Sequence, residues 1–383
     1  MNRTAVGERY FTPTCRRCRS TAGRVVLDLG EQPSAETFPP RPSGAAADPR
    51  FPLRMWLCAG CGLAQLAEDP GPVEEQTVVG GGEAMTAQAR ATLGLAAGLG
   101  LLPPGARVVE LGSPHSPSVG PLLRERGVVP VTAIDEPVDV VLDVYGLLHE
   151  PDQAAALARR AALLRPGGAL VLQWRSLATV LAAGQFSELR HGHFAYWSLP
   201  ALGAALRTVG LGVRTARRSD FDGGTLAAVA VASGEPDAEA TALLAAERAA
   251  GALDAAAVGS LQRHADDAAA SLRSWLEAER AAGRRVLGYG AAGRAVPLLC
   301  HADIDADLLP MVADASPAKH GRRLPGTDVA IGSPSDLVAR RPDAVLLFVP
   351  HLLPELRRSL PEVEAAGGRW WVADPGPRPA SSS

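Results

Sequence analysis

Four of the five cysteines fall into two closely spaced pairs. Cys15 and Cys18 form one C-x2-C pair, and Cys58 and Cys61 form the other. This spacing lets two thiolates from one tight turn reach the same tetrahedral metal ion, and two such pairs complete a closed zinc site. Two disulfides or free thiols are the alternative. Because four protein ligands leave no open position for water, the predicted zinc is structural.

The chain between the two pairs is longer than in a short zinc ribbon, so a hairpin or small insert must lie there. The proline- and alanine-rich stretch 39–50 is the candidate insert. The fifth cysteine, Cys300, lies in the apolar stretch 296–300 and is predicted to be a core residue instead of a nucleophile.

Composition excludes several classes of protein. The chain has 383 residues, 47% of them hydrophobic, and a net charge of −3. That length predicts two or three domains. The charge provides no broad field that would neutralise phosphates or hold a membrane surface. No apolar run approaches the ~20 residues that span a bilayer, and the N-terminus lacks the apolar core of a signal peptide. We therefore expect a cytoplasmic protein with no nucleic-acid or membrane partner.

Apolar runs and turn residues predict α/β architecture in two parts. The first part alternates strands and helices, which is typical of a parallel sheet covered on both faces. Its predicted elements are a helix at 87–101, strands at 106–112, 128–135, 138–145 and 169–174, helices at 116–127 and 153–164, and a turn at Gly167-Gly168.

A second, smaller α/β unit is predicted after an alanine-rich helical linker. The linker spans 236–282 with a break near Gly251. Strands are expected at 284–290, 309–314 and 344–349, followed by a disordered tail at 375–383. The predicted domains are therefore 1–75, which binds zinc, 76–233, which holds the central sheet, and 234–383, which holds the linker and a C-terminal Rossmann-like domain.

This order of domains resembles the zinc-containing, S-adenosylmethionine-dependent C-methyltransferases that act on nucleotide-linked keto-deoxysugars. The resemblance covers nearly the whole chain and rests on a colinear set of segments. They are CAGCGLAQL at 58–66, VVELGS at 108–113, GLLHEPD at 146–152, HGHFAYWSL at 191–199, GGTL at 223–226, GYGAAGR at 288–294 and SPAKHGRRLPGT at 316–327.

The resemblance implies a methyl-donor site that here departs from the family pattern. Glu110, Gly112 and Ser113 match the donor loop, which reads GSPHSP in place of a more glycine- and acid-containing version. Asp135 matches the acid that would bind the ribose hydroxyls, although a carboxylate capping a turn is the alternative. After Asp135 the chain lacks the helix, strand and part of a helix that build the adenine pocket in the family. We therefore expect a methyltransferase-type sheet that is shortened on one side.

The resemblance places the catalytic base at His193, with His191 beside it. A neutral imidazole with a pKa near ~6.5 suits removal of the proton next to a ketone. The family's tyrosine and glutamate just before the base are replaced by Arg190 and Gly192, and 77–85 lacks the upstream tyrosine. Arg190 and His191 are the electrostatic substitutes, and two surface or core histidines are the alternative.

The second Rossmann-like unit carries a glycine motif, GYGAAG at 288–293, between a predicted strand and helix, with Asp314 closing the next strand. It fits dinucleotide binding, whereas the family resemblance favours support of nucleotide-sugar phosphates. The candidate substrate contacts are Arg190, Tyr196, Gly223, Gly224, Tyr289, Gly290 and Arg294. Further candidates for phosphate contact are Lys319, Arg322 and Arg323, whose alternative is solvated surface charge.

The expected function is methyl transfer to carbon in specialised metabolism, with structural zinc and S-adenosylmethionine as cofactors. Three alternatives stay open at this point. The chain could have lost methyl transfer and kept His193 for epimerisation or dehydration. It could be a non-catalytic scaffold, or a nicotinamide-dependent oxidoreductase.

Overall fold

The computed structural model describes residues 13–41, 48–71, 82–132, 136–221 and 224–380. Asp135 and Gly223, two of the predicted site residues, lie outside these ranges. The described residues build three sheets, which we call the cysteine, central and C-terminal sheets. None of the described helices is both long enough and apolar enough to cross a bilayer.

The cysteine sheet begins as an antiparallel hairpin. Strands β1 (Gly23–Pro33) and β2 (Arg50–Cys58) pair along their length, and β3 (Ala64–Leu66) pairs with β2. The hairpin occupies the gap between the two cysteine pairs, which confirms the prediction. The described residues 39–41 and 48–49 of the candidate insert lie between β1 and β2, and 42–47 lie outside the described residues.

The central sheet follows with alternating strands and helices, as predicted. Its first half contains α1 (Glu83–Gly98), β4 (Arg107–Glu110), α2 (Gly120–Glu125), β5 (Val129–Val131), β6 (Val138–Val144), α3 (Gln153–Ala162) and β7 (Leu164–Trp174). Its second half contains α4 (Leu177–Ala183), β8 (Ala195–Tyr196), α5 (Leu199–Arg207), β9 (Leu211–Ser219) and β10 (Thr225–Ala232). Of these, β8 leaves the central sheet and becomes the fourth strand of the cysteine sheet, next to β3.

The strand order of the central sheet is β5-β4-β6-β7-β10-β9. The first four strands are parallel, and β10 is antiparallel to both of its neighbours. The order reverses direction between β4 and β6, so a crevice opens at their carboxyl ends, where open α/β sheets bind ligands. In the described part of the chain β5 is the edge strand, which confirms the shortened sheet.

Two details of the sequence prediction for this sheet are wrong. The helix expected at 116–127 is only α2, because Pro117 and Ser118 belong to the loop that precedes it. The turn expected at Gly167-Gly168 lies inside β7 as an irregularity of the strand. Gly167 has a φ of 79°, and a side chain at Gly168 would meet the Arg165 and Asp139 carbonyl oxygens at 3.0 Å.

The C-terminal part starts with two helices, α6 (Ala238–Ala249) and α7 (Ala255–Ala281). Asp237 and Asp254 cap their N-termini. The chain reverses at Gly251, which has a φ of 75°. The break predicted near this glycine is therefore confirmed.

The C-terminal sheet has the order β13-β12-β11-β14-β15-β16, with β16 antiparallel to β15. Its elements are β11 (Val286–Tyr289), α8 (Ala295–His301), β12 (Met311–Ala313), β13 (Ala330–Gly332), α9 (Pro334–Ala339), β14 (Ala344–Leu347), α10 (Leu353–Ser359), α11 (Glu362–Ala365), β15 (Arg369–Val372) and β16 (Arg378–Pro379). The prediction of a disordered tail from 375 is wrong as far as residue 380, because β16 pairs there with β15.

One apolar core joins the cysteine sheet to the C-terminal sheet through α4 and α7. Its buried side chains include Leu27 and Met55 of the cysteine sheet, Leu177 of α4, Leu261 of α7 and Val286 of the C-terminal sheet. Helix α7 therefore packs between the sheets. A second core packs Trp56 of β2 against the central sheet.

Candidate active site and zinc centre

The four paired cysteines converge on one point. The Sγ atoms of Cys15 and Cys61 are 3.6 Å apart, those of Cys18 and Cys58 are 3.5 Å apart, and all four lie within 4.8 Å of one another. Tetrahedral zinc with Zn–S bonds of ~2.3 Å would place the sulfurs ~3.8 Å apart. A disulfide needs ~2.05 Å. The geometry fits zinc and excludes two disulfides.

Local backbone turns explain this convergence. The amides of Arg19 and Gly62 donate to the carbonyls of Cys15 and Cys58, and both residues that close the turns have positive φ. Contact with the Cys61 thiol and burial raise the pKa of Cys15 to about 12. Zinc binding at this site therefore releases protons, as expected for thiolate ligands.

His193 lies in the loop that enters β8, and strand β3 and the turn after β6 hold this loop. The Phe194 carbonyl accepts from the Leu66 amide at 3.2 Å, and the Phe194 amide donates to the Leu148 carbonyl at 2.7 Å. His193 is half-buried. Burial first, and then the Arg190 guanidinium and His149, hold the pKa of His193 well below its ordinary value. The imidazole is therefore neutral at pH 7, which is the state that accepts a proton.

His149 is a site residue that the sequence prediction missed. Its ring lies edge-on to the His193 ring, with centroids 4.9 Å apart. Its Nε2 is 2.9 Å from the Ser113 hydroxyl, and its Nδ1 is 3.1 Å from the Gly192 carbonyl. His149 lies in the segment 146–152 that carries the family resemblance, so the sequence could have indicated it as a site residue. The donor loop, the end of β6 and the His193 loop thus meet at the crevice.

A cluster of buried charges lies beside His193. Glu188 is its centre: its carboxylate is 2.7 Å from Arg175, 3.3 Å from Arg294 and 3.8 Å from Arg190. The four side chains are at most 16% exposed. One carboxylate among three guanidinium groups leaves an excess of positive charge, which is suited to an anionic ligand. We call these four residues the arginine cluster.

Asp374 of the C-terminal part borders the arginine cluster. The Ser187 hydroxyl donates to its carboxylate at 3.1 Å. Burial is the main cause that raises the pKa of Asp374 to about 6, against the opposing effects of Ser187 and Arg294. The C-terminal part therefore contributes both Arg294 and Asp374 to the surroundings of His193.

A small cavity connects these groups. Tyr145, Gln173, Arg175, Glu188, His193 and Tyr196 are among the residues that line it. It offers about 30 Å³ to water, and one water needs ~10–15 Å³. A ligand the size of a sugar would therefore require the surrounding parts to move apart.

Tyr145 is a second site residue that the sequence prediction missed. It has a φ of 58°, which is uncommon for a bulky residue and can mark a functional position. Its hydroxyl is 3.0 Å from the Thr225 hydroxyl, and its backbone pairs with Gly112. Tyr145 thus links the donor loop to the chain that follows Gly224.

The predicted donor residues lie at the carboxyl end of β4. Glu110 accepts hydrogen bonds from the Ser118 hydroxyl and the Val119 amide, so its carboxylate shapes the loop. Gly112 pairs with Tyr145, and Ser113 contacts His149. Asp135 lies outside the described residues. The structure thus brings Gly112 and Ser113 to the crevice and assigns Glu110 to the support of their loop.

Two predicted residues next to His193 contact the protein backbone. His191 is 3% exposed, its Nε2 is 3.2 Å from the Pro52 carbonyl, and its ring packs edge-on against Phe51. The Tyr196 hydroxyl accepts from the Arg190 amide at 3.1 Å, and burial raises its pKa. This places His191 against strand β2, where it supports the loop, while Tyr196 lines the cavity.

The other predicted substrate contacts are divided between two places. Gly224 has a φ of 123°, and a side chain there would lie 2.7 Å from Thr179. Arg294 joins the arginine cluster. Tyr289 is buried in the C-terminal core, where burial raises its pKa to about 12. Of the residues from the C-terminal glycine motif and its flank, Arg294 therefore brings a charged side chain to the surroundings of His193.

The glycine motif itself is filled by the protein. A side chain at Gly290 would lie 2.4 Å from Val349, and one at Gly293 would lie 2.1 Å from the Glu36 carboxylate. The Lys319 ammonium donates to the Ala291 carbonyl at 2.7 Å. Protein atoms therefore pack against the loop at Gly290, Ala291 and Gly293.

The predicted phosphate-binding cations near this loop contact the first part of the chain. Arg323 makes two hydrogen bonds to Asp48, at 2.6 and 2.7 Å, and Arg322 donates to the Phe38 carbonyl at 3.0 Å. Lys319 lies 4.7 Å from the centre of the Phe38 ring. These side chains fasten the C-terminal sheet to the cysteine sheet.

The fold and the site together define a zinc-containing enzyme of the methyltransferase type. A family model described as "Putative zinc binding domain" matches residues 15–74, and one described as "C-methyltransferase C-terminal domain" matches residues 220–375. Together they cover more than half of the chain. These matches support the zinc-containing C-methyltransferase family that the sequence resembles.

Among curated proteins, the chain is similar to C-methyltransferase NovU of Streptomyces niveus, with 26% identity over 96% of this chain and 97% of the relative. Among solved structures, a Burkholderia thailandensis 1,6-didemethyltoxoflavin-N1-methyltransferase with bound S-adenosylhomocysteine has 22% identity, 39% coverage of this chain and 77% of its own, and a TM-score of 0.27. Magnesium protoporphyrin IX methyltransferase from Synechocystis PCC 6803 has 14% identity, 39% and 84% coverage, and a TM-score of 0.29. These TM-scores are too low to bear on function.

Proposed function

We propose that this protein transfers a methyl group from S-adenosylmethionine to the carbon beside the ketone of a nucleotide-activated keto-deoxysugar or a related ketone. The observation that carries the proposal is the neutral, half-buried His193 at the crevice of the central sheet, next to a cluster with excess positive charge. A neutral base and nearby cations are what enolate formation from an anionic ketone substrate requires.

In this proposal His193 removes the proton beside the ketone. The electron pair of the C–H bond moves into the ketone to form an enolate, and the proton rests on the imidazole. One guanidinium nitrogen of Arg190 lies 3.3–3.4 Å from the ring nitrogens of His193. Arg190 therefore provides positive charge where the enolate oxygen develops. Arg175 and Arg294 are positioned to bind a substrate phosphate.

The methyl donor would occupy the crevice between β4 and β6. Bound S-adenosylmethionine would supply an electrophilic methyl group to the enolate carbon. The backbone at Gly112 and Ser113 forms the near wall, and Asp135 is the expected partner of the ribose hydroxyls. Because β5 is the edge strand of the described sheet, the part of the crevice that would hold the adenine lacks one of the elements that enclose it in the family. We therefore expect weak donor binding.

The same observation favours a second candidate function, proton chemistry without methyl transfer. An enzyme with His193 and a weakened donor site would still exchange the proton beside the ketone, and reprotonation on the other face would give epimerisation. The two candidates share the base and differ in the fate of the enolate. A test of the base is therefore separate from a test of the donor.

The base is tested by solvent exchange. The zinc-loaded protein is incubated with nucleotide-linked keto-sugars in D2O, with and without S-adenosylmethionine, and deuterium and methyl incorporation are measured by mass spectrometry. His193→Gln should slow exchange by ~10²–10⁴-fold, the contribution of a positioned general base. His264→Gln on α7 is the matched control and should exchange like the wild type.

The pH dependence gives an independent check. Only the neutral ring accepts a proton, and the pKa of His193 is lowered. The acid limb of the exchange profile should therefore lie below the ordinary imidazole value of ~6.5. Equal exchange by the wild type and His193→Gln would refute the base. Exchange without methylation at saturating donor would select the second candidate.

A further inference from the structure

Helix α1 carries two buried polar side chains on the face that packs against the central sheet. Gln88 and Thr92 lie four residues apart, so they share one face of the helix, and they are 6% and 2% exposed. The surrounding core is apolar, with Leu93 and Val171 among its members. Polar groups in such a core cost free energy unless each is hydrogen-bonded. The partners of Gln88 and Thr92 therefore show what this face holds in place.

The two side chains form a hydrogen-bonded chain that ends at Gln173. The Ser219 hydroxyl donates to the Oε1 of Gln88 at 2.7 Å, and the Nε2 of Gln88 lies 3.5 Å from the Thr92 hydroxyl. The Thr92 hydroxyl in turn donates to the Oε1 of Gln173 at 2.5 Å. Gln173 is 3% exposed, so this contact is buried. Helix α1 thus fixes the amide oxygen of Gln173 through Thr92.

Gln173 also belongs to the wall of the cavity that His193 lines. It is the last residue but one of β7, at the carboxyl end of the parallel strands, where open α/β sheets bind ligands. Within the described ranges no protein group accepts a hydrogen bond from its Nε2, and this atom is not fully enclosed by protein. An amide nitrogen carries two donor hydrogens. The cavity wall therefore contains a neutral donor that a ligand can use.

Two other polar side chains of this wall are bound to the protein. Arg175 donates to Glu188 at 2.7 Å, and the Tyr145 hydroxyl lies 3.0 Å from the Thr225 hydroxyl. A guanidinium group suits the anionic part of a substrate, whereas a neutral amide donor suits a ketone oxygen. When a base removes the proton beside the ketone, negative charge develops on that oxygen. A donor fixed in advance stabilises the enolate more than the ketone, which is what lowers the barrier.

We propose that the Gln173 amide donates a hydrogen bond to the ketone oxygen of the substrate and stabilises the enolate formed there, with Thr92 as its positioning residue. The inference rests on the proposed function of His193 as the base. The electron pair of the C–H bond moves toward the oxygen, His193 takes the proton, and the amide keeps both of its hydrogens. Gln173 then touches the reacting atoms, whereas Thr92 acts through Gln173.

Deuterium exchange into a nucleotide-linked keto-sugar, without the methyl donor, tests Gln173. Gln173→Glu keeps the shape and the acceptor for Thr92 but has no amide donor, and Gln173→Leu removes both polar ends. Each variant should lower kcat for exchange by ~10²–10³-fold, the effect of losing one oxyanion donor, with KM within about 3-fold. Zinc content and thermal unfolding establish that each variant is folded.

Thr92 is tested by a pair of variants of opposite design. Thr92→Val keeps the side-chain shape without the hydroxyl and should lower kcat by ~10-fold, because the amide is no longer held in place. Thr92→Ser keeps the donor and should exchange like the wild type. In a Gln173→Leu background Thr92→Val should have no further effect, since its partner is gone. Thr86→Val is the matched control, because the exposed Thr86 hydroxyl donates to the Gly82 carbonyl on the same helix.

The outcomes separate this inference from the proposed function. If both Gln173 variants are folded and match the wild type in kcat while His193→Gln abolishes exchange, the enolate contact is refuted and the base stands. If they raise KM and leave kcat unchanged, the amide binds ketone and enolate equally, and the enolate role is refuted. If Thr92→Val slows exchange equally with and without Gln173→Leu, Thr92 does not act through Gln173. If His193→Gln exchanges like the wild type, the proposed function itself fails.

Discussion

The turn that carries His149 depends on a buried ion pair, and this pair gives a quantitative prediction. Asp143, near the end of β6, contacts Arg160 at 2.6 and 2.7 Å, and both side chains are 1% exposed. Its other oxygen accepts the amides of Gly146 and Leu147 at 2.8 and 3.0 Å. Burial raises the pKa of the Asp143 carboxyl despite the opposing guanidinium. The ion pair thus joins α3 to the start of the turn.

Asp143→Asn keeps the shape of the side chain and removes its charge. Breaking a buried pair costs ~3–5 kcal/mol, because the remaining charge stays buried. Arg160 also contacts Glu150 at 3.2 Å, which retains part of the compensation. We therefore expect the lower end of that range, ~3 kcal/mol. At ~2–4 °C per kcal/mol for a unit of this size, the unfolding transition should fall by ~6–12 °C.

Differential scanning calorimetry at pH 7 measures this shift. The matched control is Glu125→Gln, which breaks the Arg90–Glu125 pair on the surface, where the side chains are 51% and 53% exposed. Exposed pairs contribute ~0–1 kcal/mol, so the control should change the transition by at most a few degrees. Exchange at His193 should also slow in Asp143→Asn, because the turn loses its anchor. An Asp143→Asn transition as close to wild type as that of the control would refute the reasoning.

Three further predictions follow from other parts of the molecule. Cys58→Ser should lower zinc below ~1 per chain by elemental analysis and destabilise the fold, since structural metal binding is coupled to folding; a metal-free, folded wild type would contradict the site. The pKa of Asp374 is raised to about 6 in the folded protein, so protonation of this carboxyl favours folding. Its contribution to the free energy of unfolding is present at pH 4 and is lost as pH rises through 6. Above pH 6, Asp374→Asn should therefore unfold at a higher temperature than the wild type, with a free energy of unfolding larger by up to ~3 kcal/mol. A difference between variant and wild type that does not change with pH would argue against this role of Asp374. Asp135→Ala should weaken S-adenosylhomocysteine binding by ~1.5–3 kcal/mol in calorimetric titration; undetectable wild-type binding at millimolar ligand would exclude the donor site.

Much of the fold could be predicted from local patterns. The C-x2-C spacing determines that two thiolates from one turn face the same point, and apolar runs bounded by turn residues mark β4, β6 and α3. The break between α6 and α7 follows from a glycine at positive φ between two aspartate caps. The matched segments predicted the family and, through that resemblance, the candidate base at His193. Each of these signals depends on residues close together in sequence, which is why the sequence alone contains them.

What surrounds His193 was decided by tertiary structure. Glu188, Arg175 and Arg294 come from separate segments, and only the packing of the C-terminal sheet brings Arg294 to Glu188. His149 lies far from Ser113 in the chain, and the parallel order of β4 and β6 brings their carboxyl ends together.

The glycine motif at 288–293 shows that a local pattern alone does not establish a binding site. Its spacing is that of a nucleotide loop, yet Glu36 and Val349 pack against two of its glycines. A local motif specifies the backbone that a ligand needs. Whether a ligand or another part of the chain occupies that backbone depends on long-range packing, which no short stretch of this sequence encodes.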